Sequence, residues 1–321
     1  MTRLLRAVLA LVALLMPRVV RAQTEYFNLD AGRPTRVEDA VAAERYELEL
    51  MLGALRVERL AGGVQRWRTE PKTVYGVLPF TEVELRVPLV RTVIPGPPAG
   101  ITGIAGVGIG AMHVFNLETS ALPATALSAE VLLPGGSQVS APTASYSMKA
   151  LMTRTTRIAR LHLNAAIGTW AVRVTPPPDT TCHLISVNGG CLDNGANGVL
   201  IPPDLPCLCG HASRIIGLST AAAVVDTPRS TGSRWFVGVG ADRSLPLRSL
   251  SIAVNLWAEK FQGLYSLSDW TAELGTRIQL SPRFVFDIGA SRRFAGTIQS
   301  TAATAGLSYG LSARRLFGGR Q

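Results

Sequence analysis

The sequence predicts an all-β fold: a transmembrane antiparallel β-barrel of about twelve strands with one long cysteine-containing outer loop. Three observations carry that expectation. From Ser233 to Phe317, side-chain character alternates every second residue through five successive segments, a period that strands can carry and helices cannot. Each segment is about ten residues or longer, which suits a tilted strand crossing a bilayer and exceeds the usual strand of a soluble sheet. Short turns at 245–248 and 281–283 alternate with longer links at 262–268 and 295–301, so one rim is tight and the other loose.

The five segments set apolar rows against small or polar ones. Trp235, Val237, Val239 and Ala241 oppose Gly238, Gly240 and Asp242; Leu250, Ile252, Val254 and Leu256 oppose Ser251, Ala253 and Asn255. Trp270, Ala272, Leu274, Thr276, Ile278 and Leu280 oppose Glu273, Arg277 and Gln279. Phe284, Phe286 and Ile288 then face away from Asp287, and Leu307, Tyr309 and Leu311 away from Ser308 and Gly310.

Composition agrees. Of 321 residues, 47% are hydrophobic and only 17% charged, yet no run of eighteen uncharged apolar residues occurs beyond the N-terminus, which argues against membrane helices. Residues 1–22 read as a signal peptide: Arg3 and Arg6, then the apolar run 7–16, then Val20-Arg21-Ala22 as a small-residue cleavage site. Removing it takes four basic residues and no acidic ones, so the net charge falls from +10 to +6. No basic run with interleaved aromatics accompanies that surplus, so no nucleic-acid partner is expected. The expected setting is the bacterial outer membrane, with lipid outside the barrel and a small-molecule permeant within.

In chain order, residues 23–43 are polar and read as a periplasmic lead-in that includes Arg33, Arg36, Glu38 and Asp39. The barrel is expected over 44–317. Strands are predicted at 44–56, at 65–78 with a poorer period, and at 81–89; a Pro- and Gly-rich loop at 92–101 precedes another at 104–115. There Gly106, Gly108 and Gly110 share one face, which suggests a lumen crowded by a loop or plug. Strands at 125–133, 146–155 and 158–170 follow. Residues 175–232 then break the rhythm as a long extracellular loop insertion. Seven strands precede it and five follow, an even count that puts both ends on one side. Residues 318–321 form a C-terminal tail.

The runs Arg33-Pro-Thr-Arg-Val-Glu-Asp-Ala40, Glu44-Arg-Tyr-Glu-Leu-Glu49 and Tyr75-Gly-Val-Leu-Pro-Phe-Thr-Glu-Val-Glu84 resemble those of bacterial outer-membrane proteins grouped under the MetA pathway of phenol degradation. So do Trp235-Phe-Val-Gly-Val-Gly-Ala-Asp242, Leu245-Pro-Leu-Arg248 and Leu280-Ser-Pro-Arg283. The resemblance covers most of 33–317 except the insertion. It implies a barrel that transports aromatic or other hydrophobic compounds, and it carries no established site residues.

Candidate lumen-lining residues are those charged or polar on the less apolar rows: Glu47, Glu49, Glu82, Glu84, Arg86, Lys149, His162, Asn164, Asn255, Glu273, Arg277 and Asp287. They either line a wet pathway or fill a narrow barrel as paired charges. Cys182, Cys191, Cys207 and Cys209 are expected to form disulfides in an oxidising compartment. With His183 and His211 they also have the chemistry of zinc ligands. His162 and Asn164 share a strand face, and with a serine from another strand on the membrane face they would have the parts of a lipolytic site. The sequence therefore points to a passive channel needing no cofactor. Its alternatives are a surface protein that binds through the insertion, and an outer-membrane lipase.

Overall fold

The structure is a computed structural model describing residues 29, 33–95, 100–173, 185–187, 190–192, 229–245, 249–262 and 267–312, with backbone alone at 172–173, 185–187, 190–192 and 229–230. The signal peptide, Cys182, Cys207, Cys209, most of the 175–232 insertion and the 318–321 tail lie outside the described residues. So does the side chain of Cys191.

The described residues form seventeen strands. β1 (Glu47–Leu60) is followed by β2 (Gln65–Thr69), β3 (Lys72–Leu78), β4 (Thr81–Arg86), β5 (Leu89–Val93), β6 (Ile101–Ile104), β7 (Gly106–Asn116), β8 (Ala124–Pro134), β9 (Ser145–Thr155) and β10 (Arg160–Arg173). β11 (Ile185–Val187) and β12 (Gly190–Leu192) form a separate hairpin in which Ser186 pairs Cys191. β13 (Arg229–Ser244), β14 (Leu250–Phe261), β15 (Asp269–Ser281), β16 (Phe284–Ala295) and β17 (Ser300–Ser312) complete the set.

Twelve of these close a ring, in the order β1, β3, β4, β7, β8, β9, β10, β13, β14, β15, β16, β17 and back to β1. The closure runs from Glu47↔Ser312 to Leu60↔Ser300, so the sheet has no free edge across that seam. Both ends of the ring lie at one rim, called the lower rim below. Its turns are short, as at Leu78–Thr81, where Phe80 adopts φ 61°.

β2, β5 and β6 are the upper halves of three ring strands that break at one level. Expected as continuous at 65–78, 81–89 and 104–115, these strands are interrupted at Pro71, Pro88 and Ala105. Proline has no N–H to give the ladder. The broken ends are stitched by Val87 N–H to Pro71 O at 3.0 Å and Ala105 N–H to Pro88 O at 2.8 Å. The parity of 65–78 carries through the break, with Trp67 and Tyr75 outward and Arg68 and Val74 inward.

The two faces of the ring differ sharply. Outward rows are aliphatic and exposed, for example Val237, Val239, Val254, Leu274 and Ile288. Aromatic side chains flank that band: Trp67, Tyr146, Trp270 and Phe294 toward the upper rim, and Phe80, Phe115, Phe284 and Tyr309 toward the lower. Such girdles mark the two interfaces of a membrane barrel. The inward rows hold the acidic side chains of the described ring strands, most of them buried.

Candidate functional site

The inner face is covered by the chain's own N-terminal segment. Residues 33–43, expected as a polar lead-in outside the barrel, pass within it, and each of the twelve ring strands contributes a side chain to a hydrogen bond, ion pair or buried cluster with them. The segment carries its own peptide groups into a space without a neighbouring strand, and each buried N–H or C=O needs a partner there. Inward side chains supply them in succession.

At one end, Arg33 donates from Nη2 to Asp287 Oδ2 at 2.7 Å and also to the Ser308 hydroxyl. Arg277 Nε holds the other oxygen of Asp287 at 2.7 Å. Thr304 donates to Pro34 O at 3.3 Å. Pro34 lies directly on Gly275 and Gly289, where any side chain would collide with its ring or carbonyl. Val37, wholly buried, sits in the same way over Gly238 and Gly240 and packs on Phe236 and Trp257. With its Nδ2 toward Val254 O, Asn255 accepts from Val37 N–H and from the Thr35 hydroxyl, both at 2.8 Å.

Arg36 is the most heavily engaged residue. Its N–H donates to Glu273 Oε2 at 2.6 Å, and its guanidinium makes a two-pronged pair with Glu259 at 2.8 and 2.9 Å. The same cation lies 4.4 Å from the Trp257 ring and 4.7 Å from that of Phe236, so the pair is fixed in geometry as well as charge. Glu38 ion-pairs with Lys149. Asp39 pairs with Arg160 at 3.2 Å, and Arg160 also holds Asp242 at 3.0 Å. Ala40 N–H donates to Thr153 Oγ1 at 2.9 Å and its methyl joins Val114, Ala124, Ala126 and Leu151. Ala43 N–H reaches Glu82 at 2.6 Å, and its side chain packs with Met51 and Val74. The chain then reverses at Glu44, where Glu47 N–H bonds Glu44 O at 2.8 Å and Tyr46 adopts φ 68°, to enter β1. The contacts pass from β17 and β16 round to β4 and β1, so the segment is a hoop following the inner wall.

The candidate lumen residues divide by this hoop. Glu82, Lys149, Asn164, Asn255, Glu273 and Asp287 grip it directly, Arg277 braces Asp287, and His162 braces Thr153. Glu84 pairs instead with Lys72 at 2.7 Å, and Arg86 with Glu70 at 2.5 Å and with Glu130. Glu47 accepts from Glu44 N–H at 3.1 Å, and Glu49 stands on the same inward row opposite Gly310. Above the hoop, Arg56 reaches Glu273 at 3.4 Å and Ser291 at 2.8 Å, while Glu58 gathers Ser300, Arg66 and Arg293. The expected crowding over the β7 glycines has a different source. Gly108 and Gly110 make room for the side chains of Arg86 and Glu84 on the adjacent strand, not for a plug.

His162 has a hydroxyl and a carboxylate on its two nitrogens: Thr153 Oγ1 at 3.0 Å from Nδ1 and Asp242 Oδ1 at 2.7 Å from Nε2. The Asp242 carboxylate can only accept, so Nε2–H donates to it, and in the neutral imidazole Nδ1 then accepts from the Thr153 hydroxyl. The imidazole points inward and its side chain has no exposed surface. Among the described residues the hydroxyl bonded to His162 is that of Thr153, roofed by Ala40, and not a serine's on the membrane face.

Sequence reasoning missed the hoop residues Arg33, Arg36, Glu38 and Asp39 as part of the site. The inward glycines at 238, 240, 275 and 289 were the available signal, since a strand face without side chains must be filled by something else.

No family model matches the chain, and no curated protein matches it. Solved structures share its fold. An outer membrane channel from Pseudomonas putida F1 is 7% identical with a TM-score of 0.52, over 88% of this chain and 100% of that one. The NanC porin is 9% identical with a TM-score of 0.45, over 82% and 98%. The translocator domain of the autotransporter NalP from Neisseria meningitidis is 8% identical with a TM-score of 0.46, over 83% and 89%.

Proposed function

We propose that this chain is an outer-membrane channel through which small compounds pass passively, with the 33–43 hoop as its constriction. The observation that carries this reading is the contrast between the faces. An exposed aliphatic band between two aromatic girdles suits lipid, and an ion-paired polar inner wall suits a lumen that water and polar solutes enter. Residues 1–22 direct export, and both ring ends face the periplasm. The path is lined by inward charges the hoop leaves uncovered, such as Glu49, Glu84 and Arg86. Mixed charge of that density favours permeants with a polar or charged group; an aromatic acid or phenol satisfies both this wall and the permeant class that the MetA-pathway resemblance implies.

The test is single-channel recording on the refolded full chain and on Arg33→Ala/Arg36→Ala, in planar bilayers. The expected result is low conductance in the first and several-fold higher conductance in the second, with phenolic and benzoate solutes entering proteoliposomes faster through the variant. No conductance in either protein, once inserted, overturns the reading.

A second reading, a barrel that anchors a binding loop, draws on the length of the 175–232 insertion, whose described residues include the β11–β12 hairpin. Deleting 175–232 discriminates the two: an insertion that also gates the channel above the hoop raises conductance when removed, and a binding loop's removal leaves it unchanged.

A further inference from the structure

The outer wall carries a feature that a bare lipid-facing surface does not explain. On the outward rows of the described strands there is no aspartate or glutamate, yet Arg59 on β1 and Arg292 on β16 both face outward and are exposed. Neither has an ion-pair or hydrogen-bond partner among the described residues. Two further outward arginines, Arg91 on β5 and Arg243 on β13, stand elsewhere on the wall, whereas Arg59 and Arg292 adjoin one strand. Thr301 on β17, the strand between them, is in register with both: Arg292↔Thr301 on one side and Arg59↔Thr301 on the other. Two strand spacings separate their backbones, roughly 10 Å, a gap that two arginine side chains can close over the exposed Thr301 hydroxyl.

Directly below this pair the wall is hollow. The next outward rows are Ala290↔Ala303↔Val57 and Ile288↔Ala305↔Leu55. Because β17 and the upper part of β16 present only methyl groups there, a cavity of about 610 Å³ opens between Leu274 and Ile288 on one side and Leu55 and Val57 on the other. Its floor at Ala303 and Ala305 lies two and four residues below Thr301, roughly 7 and 14 Å down the wall. An apolar slot of that depth with two uncompensated guanidinium groups at its mouth has the polarity of a lipid: anionic head above, hydrocarbon below.

We propose that Arg59, Thr301 and Arg292 bind the phosphate of one phosphorylated glycolipid of the outer leaflet, with an acyl chain of that lipid in the Ala290–Ala303–Ala305 cavity. Charge complementarity selects the occupant. Guanidinium groups match phosphate in pairs, and a lipid-facing arginine is tolerated near the interface when a headgroup compensates it. The leaflet follows from the orientation above and so rests on the outer-membrane reading: the pair lies toward the rim opposite Glu47 and Ser312, hence on the cell surface, where the phosphorylated lipid is a glycolipid.

The experiment uses the full chain purified in detergent and incubated with lipid A, with its dephosphorylated form, and with phosphatidylglycerol, bound lipid being counted by native mass spectrometry. Wild type should retain one lipid A per barrel. Arg59→Gln/Arg292→Gln should lose at least tenfold in affinity, and Ala303→Leu/Ala305→Leu should lose binding with both arginines intact. Arg243→Gln, an outward arginine at the opposite rim, should bind as wild type. Equal retention by the double glutamine variant, or equal binding of the dephosphorylated form, overturns the site; equal binding of phosphatidylglycerol overturns the glycolipid assignment. Conductance and flotation with liposomes are measured on the same preparations. A chain that fails to insert sinks the membrane reading itself, whereas one that inserts and conducts but ignores lipid A sinks only this proposal.

Discussion

Asn164 and Glu38 exchange two hydrogen bonds of 2.9 Å each: Asn164 Oδ1 accepts the Glu38 N–H, and Asn164 Nδ2 donates to the Glu38 carbonyl. A side chain on β10 thus does for the hoop what a neighbouring strand would do for an edge. Asn164 itself has no exposed surface, so nothing else can take its place.

Replacing Asn164 by Leu keeps the volume and removes both partners. Two buried peptide groups are left unsatisfied at about 1–3 kcal/mol each. The expected outcome is a lower urea midpoint, with hydrogen exchange faster at 36–40 while exchange in β14 to β17 is unchanged. Equal protection at 36–40 would show that the pair is dispensable.

Arg36→Ala tests the charged clamp. It strips Glu259, 7% exposed, of its two-pronged partner and leaves it Arg234 at 3.7 Å; with Arg36 itself a third exposed, the loss should fall below the about 3–5 kcal/mol of a fully buried pair. Arg36→Lys restores the charge without the fork or the stacking on Trp257, so it should recover less than half of the loss. In the Arg36→Ala/Glu259→Ala double variant the penalty should shrink below the sum of the singles, because no carboxylate is left short of its closer counterion.

The hoop can be expelled without touching its own residues. In Gly275→Leu and Gly240→Val the new side chains occupy the places of Pro34 and of Asn255 with Val37. The outward rows are untouched, so heat-modifiable migration on a gel should persist while protease gains access to 33–43. A variant that neither folds nor migrates as a barrel would show instead that the hoop is needed to close the ring.

The ring was legible in the sequence because the period-two rows of β13 to β17 are uninterrupted, and a strand's parity follows from any one residue whose side is known. Asp287 and Glu273 could be placed inward from Phe286 and Leu274 alone. Three strands were harder: they break at Pro71, Pro88 and Ala105, and the sequence does not say whether a proline ends a strand or only bends it. The hoop was illegible for a different reason. Residues 33–43 have no period, since each is held by a different strand, and a segment organised by tertiary partners looks like a polar linker. The inward side chains recorded that something polar had to be met, and not that the chain's own start would meet it.

The Asp287 carboxylate is the sharpest single test of how the hoop is anchored. It is 1% exposed and faces two guanidinium groups, Arg33 at 2.7 Å and Arg277 at 2.7 Å. Asp287→Asn preserves size and can still accept a hydrogen bond, but it leaves two buried cations without their shared counterion, at a cost of about 3–5 kcal/mol. Arg277 is fixed to β15, whereas Arg33 sits on a segment that can leave. The energetic strain should therefore be relieved by release of the hoop's N-terminal end, read as protease cleavage near 33–36 and as raised conductance, with the barrel's thermal transition nearly unchanged. The Arg33→Gln/Asp287→Asn pair should return both readouts toward wild type, because Arg277 alone can turn toward Ser308 once Arg33 no longer competes. If Asp287→Asn instead lowers the thermal transition and leaves cleavage and conductance as they were, the carboxylate braces the β15–β16 wall and not the hoop.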